Sequence, residues 1–163
     1  MRIRAKVDAG ITLVEVLVSS FLLATLFGAI FQLNAICLRY VSAGKDSMAA
    51  ISNVHDRAEA LRNTAFRDLT DVDFVRALLA TPANASEFAQ KAPEVVRISA
   101  YPTPNGVTQF SRSANGNVSV DSTATSLGSS LVQIEVSSTS PGGLAGRPQT
   151  ERAITIVANG TKK

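Results

Sequence analysis

Residues 10–38 read GITLVEVLVSSFLLATLFGAIFQLNAICL, and after Glu15 this stretch holds no ionisable side chain except the thiol of Cys37. The uncharged run from Val16 to Leu38 is roughly 23 residues, about 35 Å long as a helix and enough to cross a hydrocarbon core of about 30 Å. Ahead of it, MRIRAKVDAG carries Arg2, Arg4 and Lys6 against Asp8. Behind it, Arg39 and Lys45 are offset by Asp46. The heavier basic flank predicts a cytoplasmic N-terminus, with the bulk of the chain facing outward.

A cleaved secretory signal also joins a basic start to an apolar run, but its apolar core usually has about 7 to 15 residues and ends in a small-residue cleavage site. This run is longer and lacks a convincing site of that kind. Ile36 and Leu38 continue the apolar pattern past Gln32 and Asn34. Glu15 is a further mark against an ordinary signal. An acid deep in a membrane span costs about 2.5 to 3.5 kcal/mol, so it requires a compensating partner.

Glu15 follows Ile11 by four residues. A cut between Gly10 and Ile11 would place a new α-amino group one helical turn from the carboxylate, or within reach of the carboxylate of a neighbouring copy. Either pairing would offset much of the desolvation cost. A first-turn acid also faces the positive end of the helix dipole, worth about 0.3 to 1 kcal/mol. The plainer reading makes Glu15 an incidental interfacial acid on a signal anchor.

A short basic leader ending in Gly10, an apolar residue, then Thr12-Leu13-Val14-Glu15-Val16-Leu17 opening an apolar helix resembles the class III leader of type IV pilins and type II secretion pseudopilins. The resemblance implies that prepilin peptidase cuts after Gly10 and methylates the amine of Ile11, and that Glu15 aligns subunits during assembly. Ile11 stands where the family usually has phenylalanine, a departure commoner in minor subunits. The implied partners are that peptidase, other pilin or pseudopilin subunits, the assembly platform and the bacterial inner membrane. The implied location is that membrane, single-pass with a cytoplasmic N-terminus and a periplasmic head, and later the pilus or pseudopilus. The implied fold is α+β, a long N-terminal helix packed on a small antiparallel sheet.

The rest of the sequence is divided accordingly: a leader over 1–10, a spanning or filament-core helix over 11–38, an amphipathic helix continuing the rod over 39–69, and a head over 70–163. No proline interrupts Met1 to Thr81. Gly28 and Gly44 weaken the rod by about 1 kcal/mol each relative to alanine. In 39–69 the spacing of Met48, Ile51, Val54 or His55, Ala58, Leu61, Ala65 and Leu69 predicts one buried stripe. Asp46, Asn53, Asp56, Arg57, Glu59 and Asn63 then fall on the wet face, with Glu59 and Arg62 at pairing distance. Asp71 is placed to cap a second helix ending at Ala80, whose apolar face is Phe74, Val75, Leu78 and Leu79. Another turn or two is expected within 84–91.

Beyond Pro93 the composition turns β-branched. Strands are expected at Val95–Tyr101, Val107–Ser111, Asn117–Asp121, Leu131–Ser137 and Arg152–Val157. Asn105-Gly106 and Asn115-Gly116 are hairpin signals, the second the clearer. Ser138 to Thr150, STSPGGLAGRPQT, reads as the most flexible part. That loop has no acid before Glu151 and the head has no cysteine. By the resemblance, neither a calcium site nor a disulfide is then expected there, which favours a minor subunit.

The 163 residues carry 16 Lys+Arg against 13 Asp+Glu, a net +3, with one cysteine and one histidine. The length suits one globular domain, and one cysteine excludes an internal disulfide or a multi-cysteine zinc site. The mean hydropathy of +0.16 reflects the spanning helix, and the pI near 9.4 mostly the basic leader, rather than the head. Three of the basic residues and one acid lie in the first ten, leaving 13 against 12. Arg97, Arg112, Arg147 and Arg152 are scattered, so nucleic acid is not an expected partner. His55 lies near the apolar stripe and reads as a core or interface residue. No base, nucleophile and orienting group come together in the sequence, and no phosphate loop is present. Asp68, Asp71 and Asp73 read as caps and solvated charge. Cys37 reads as a small apolar filler. The expectation is a structural subunit without enzymatic activity, cofactor or metal. The alternative is a signal-anchored periplasmic binding or adhesion module that does not polymerise.

Overall fold

The computed structural model describes residues 12–124, 130–140 and 148–160. The chain forms two compact units that meet in sequence at Tyr40 and Val41, and helix α1 (Leu13–Arg62) runs through that boundary. In the first unit the described residues are that helix and its preceding Thr12, all exposed.

The second unit is an α+β head. Its part of α1 buries Ala43, Ala50, Asn53, Val54, Arg57 and Leu61. The helix stops at Arg62 rather than continuing to Leu69. Thr64 bends its hydroxyl back onto the Ala60 carbonyl at 2.9 Å, satisfying an acceptor that helix ends leave open. Helix α2 (Phe66–Leu69) follows as a separate turn. Helix α3 (Val72–Ala80) is capped by Asp71, whose Oδ1 accepts from the backbone of Asp73 at 2.9 Å and Phe74 at 3.3 Å. Val75 and Leu79 are buried as expected, while Phe74 remains partly exposed. Helix α4 (Glu87–Lys91) is capped by Ser86 through Ala89.

All five expected strands form: β1 (Glu94–Ala100), β2 (Thr108–Arg112), β3 (Val118–Ser122), β4 (Leu131–Ser140) and β5 (Gln149–Ala158). They make one antiparallel sheet in the order β3-β2-β1-β4-β5. Period-two alternation sends Val96, Ile98, Phe110, Val132, Ile134 and Val136 to one face, where they meet Val54 and Leu61 of α1 and Val75 and Leu79 of α3. Each fully buried aliphatic side chain of this kind contributes about 1.5 to 3 kcal/mol.

Further expectations about this unit change. First, of the expected stripe Val54, Leu61 and Leu69 are buried but Met48, Ile51 and His55 are exposed, and Ala50, Asn53 and Arg57 are buried with the former, the last two against the expectation of a wet face. Second, the loop expected over 138–150 is shorter, because β4 continues to Ser140 and β5 begins at Gln149. The remainder of that loop, 141–147, lies outside the described residues. Third, Asn105-Gly106 does not form a two-residue hairpin. Gly106, at φ +116°, leads into β2 from a longer connection and backs onto the Thr123 carbonyl. At Asn115-Gly116 the tight turn does form, with Gly116 at φ +82° and its N–H donating to Ser113 at 2.9 Å.

Candidate functional site

Of the three residues singled out for processing and assembly, Gly10 and Ile11 lie outside the described residues. Glu15 stands in the first turn of α1, fully in the open. Its setting contains a signal that spacing analysis passed over. Thr12-Leu13-Val14-Glu15 has the form of a capping box, in which a hydroxyl before the helix binds the backbone N–H three residues on. The structure makes that bond: Glu15 N–H donates to Thr12 Oγ1 at 3.3 Å and to the Thr12 carbonyl at 3.0 Å. The Glu15 carboxylate projects from a helix start that is fixed locally, where the dipole favours an anion.

The helix beyond it is built for an apolar surrounding. From Leu13 to Leu38 its large apolar side chains are 47–78% exposed, far more contiguous apolar surface than a water-soluble monomer leaves bare. Two of its hydroxyls bond to their own helix: Ser20 donates to the Val16 carbonyl at 2.8 Å and Thr25 to the Leu22 carbonyl at 2.9 Å. Such groups carry their hydrogen bonds with them into lipid, as a spanning element requires. Cys37 is exposed on the same helix. A single N-terminal helix of this length and composition is compatible with a membrane anchor.

The head has its own polar feature, also missed in the sequence. Arg57, assigned to the wet face, is 2% exposed and meets Glu94, 1% exposed. Arg57 Nε donates to Glu94 Oε1 at 2.8 Å and Nη2 to Oε2 at 3.2 Å. Its remaining donors reach the carbonyls of Leu78 at 3.1 Å and Thr81 at 2.6 Å. Directly across the sheet from Glu94 stands Arg112, also buried, whose guanidinium binds the carbonyls of Ala89, Gln90 and Ala92 around the end of α4. Most of these donors hold elements together, while the buried Nε of Arg112 has no partner among the described residues.

His55 is not a core residue: it is largely exposed, with Nε2 4.0 Å from Glu59 Oε1. Glu59 and Arg62 do pair, at 3.5 Å. Asp71 serves as a cap, as expected. Among the described residues no three His, Cys, Asp or Glu side chains gather in a way that would hold a metal ion.

No protein-family model, curated protein or solved structure matches the chain. The architecture itself, a long N-terminal helix packed on a small antiparallel sheet, is compatible with a pilin-like fold.

Proposed function

We propose that the chain is a minor pilin or pseudopilin, a structural subunit of a type IV pilus or type II secretion filament rather than an enzyme. In this reading residues 1–10 hold the precursor in the inner membrane with the head outside. Prepilin peptidase cuts after Gly10 and methylates the amine of Ile11. Glu15 then pairs with the cationic terminus of an adjacent subunit, and the apolar helices leave lipid to stack against one another on the assembly platform. The pairing gives a buried carboxylate the partner it needs, and the packing supplies cohesion over a long apolar surface.

The observation that carries the proposal is the uncovered helix Leu13–Leu38, whose one acidic side chain, Glu15, stands at its capped first turn. A second feature favours association over simple anchoring. Within the head, α1 keeps Met48 75% and Ile51 52% exposed on the side away from its buried stripe, an arrangement suited to contact with other helices.

The test is the mass of the mature N-terminus, taken from membranes of a host with prepilin peptidase. A chain beginning at methylated Ile11 is expected. Recovery of intact Met1, or of a terminus beyond Leu38, would refute the proposal. Glu15→Ala is then expected to insert normally yet enter sheared filaments far less than the native chain, measured by immunoblotting of both fractions.

A further inference from the structure

We propose that the paired ends of β4 and β5, residues 138–140 and 149–151, form a strap across α1 that opens by itself, so that the head releases α1 as far as Asn53 while its core stays closed. The strap is built from the head alone and does not rest on the filament reading.

Alternation along β4 turns Val132, Ile134 and Val136 toward α1, and Ser138 and Ser140 continue that face, buried but polar. Opposite them on β5 stand Glu151 and Gln149, where Ala153 and Val157 stand opposite Val136 and Val132. Helix α1 changes character at the same level. Val54 and Leu61 belong to the apolar core, whereas the residues buried ahead of them are Ala43, Ala50 and Asn53. Both sides of the contact ahead of Val54 are therefore small or polar, with little apolar area to keep it shut.

The bonds across this contact lie at the long end of the hydrogen-bond range. Asn53 Nδ2 donates to Ser138 Oγ at 3.4 Å, Ser47 Oγ to Glu151 Oε1 at 3.4 Å, and Gln149 Nε2 to Ser47 Oγ at 3.3 Å. Asn53 Oδ1 and Ser140 Oγ are buried with no partner among the described residues. Opening would hydrate both, recovering what burial of an unmet polar atom forgoes. The sheet gives the strap little support. The pairing of β4 with β1 ends at Ser138 opposite Glu94, and beyond it the Thr139 N–H reaches the Pro93 carbonyl at 3.5 Å. Thr139 and Ser140 otherwise pair with β5, and a two-stranded ribbon is marginally stable without further packing. One helical turn past Asn53 the contact is of another kind. Arg57 is bound to Glu94, Leu78 and Thr81 at 2.6 to 3.2 Å, so release stops short of it.

The experiment uses the full chain in detergent micelles, with Cys37→Ser as background, single reporter cysteines and a soluble maleimide. Circular dichroism and the urea midpoint check each variant for native folding. Ser140→Cys nearly keeps the native shape in the strap, and Val136→Cys, equally buried on the same face of the same strand, reports on the core. Ser140→Cys is expected to react at least about a hundredfold faster than Val136→Cys, at a rate that low urea leaves unchanged, whereas Val136→Cys follows global unfolding. Ala50→Cys, a second reporter on the helix side, is expected to share the fast reaction. Asn53→Leu removes the unmet oxygen and leaves Ser138 Oγ its bond to the Pro93 carbonyl at 3.3 Å. That substitution is expected to slow the reaction of Ser140→Cys about tenfold. Equal rates for Ser140→Cys and Val136→Cys, a urea dependence common to both, an Ala50→Cys reaction as slow as that of Val136→Cys, or a Ser140→Cys rate unchanged or raised by Asn53→Leu would each overturn the proposal.

Discussion

The guanidinium of Arg57 joins three elements at once, since it lies on α1, binds the carbonyls at the end of α3 and clasps the first residue of β1. A buried pair of this kind adds little net energy over a well-packed apolar pair, but removing one partner strands the other charge. Arg57→Met is therefore expected to cost about 3 to 5 kcal/mol in urea unfolding. Adding Glu94→Leu should recover part of that loss by removing the stranded carboxylate, while the Leu78 and Thr81 carbonyls stay unsatisfied. A double variant less stable than Arg57→Met would refute this account. Gly106 poses a different constraint, because any β-carbon there would collide with the Thr123 backbone at a φ that favours glycine. Gly106→Ala should lower stability by about 1 to 3 kcal/mol, read as a reduced urea midpoint at unchanged slope. Neither role was visible in the sequence. Arg57 sits among Asp56, Glu59 and Arg62, and nothing local distinguishes a buried arginine from a solvated one when its partner lies 37 positions away.

At the scale of elements, the head portion of α1 shows why periodicity predicts a helix better than it predicts a face. Met48, Ile51 and His55 form one series at spacings of three and four; Ala50, Val54, Arg57 and Leu61 form another. Each holds two large apolar residues, and the second faces the sheet, where Ala50 is small enough for close approach and Arg57 meets Glu94. Strands were more legible, since alternation in Leu131–Val136 leaves one choice of buried face and the structure takes it. The extra length of β4 and β5 was hidden by Ser138, Thr139, Ser140, Gln149 and Thr150, whose polar character suggests a loop and whose pairing supplies a ladder. Helix α4 offers a pH test. The Lys91 ammonium, 2.6 Å from Glu87, holds that carboxyl below the ordinary glutamate value by a direct hydrogen bond and by its charge. A depressed acid stabilises the fold above its unfolded-state pKa, and the contribution is lost as pH falls through the lowered value. Glu87 is fully exposed, so the expected result is a lowered carboxyl titration by NMR that moves back up in Lys91→Ala, with little change in overall stability.

For the whole molecule, the division at Tyr40 and Val41 separates an apolar helix from a head whose core is complete in itself. A chain starting at Val41 is expected to stay soluble without detergent and to keep the five-stranded sheet, as judged by circular dichroism and a cooperative thermal transition. Aggregation with loss of the β signal would show that the head depends on the preceding helix. The apolar stretch of α1 was the most legible part of the sequence, because it follows from where charged residues stop after Glu15 and resume at Arg39. The polar ties inside the head were the least legible, because each joins residues far apart in the chain.

The bond between Thr12 Oγ1 and Glu15 N–H has both partners after the proposed cut, so cleavage would leave the helix start intact. What changes there is electrical. Three basic side chains, which under the proposal set the orientation in the membrane, would be exchanged for a single amine one turn from the acid it would have to find.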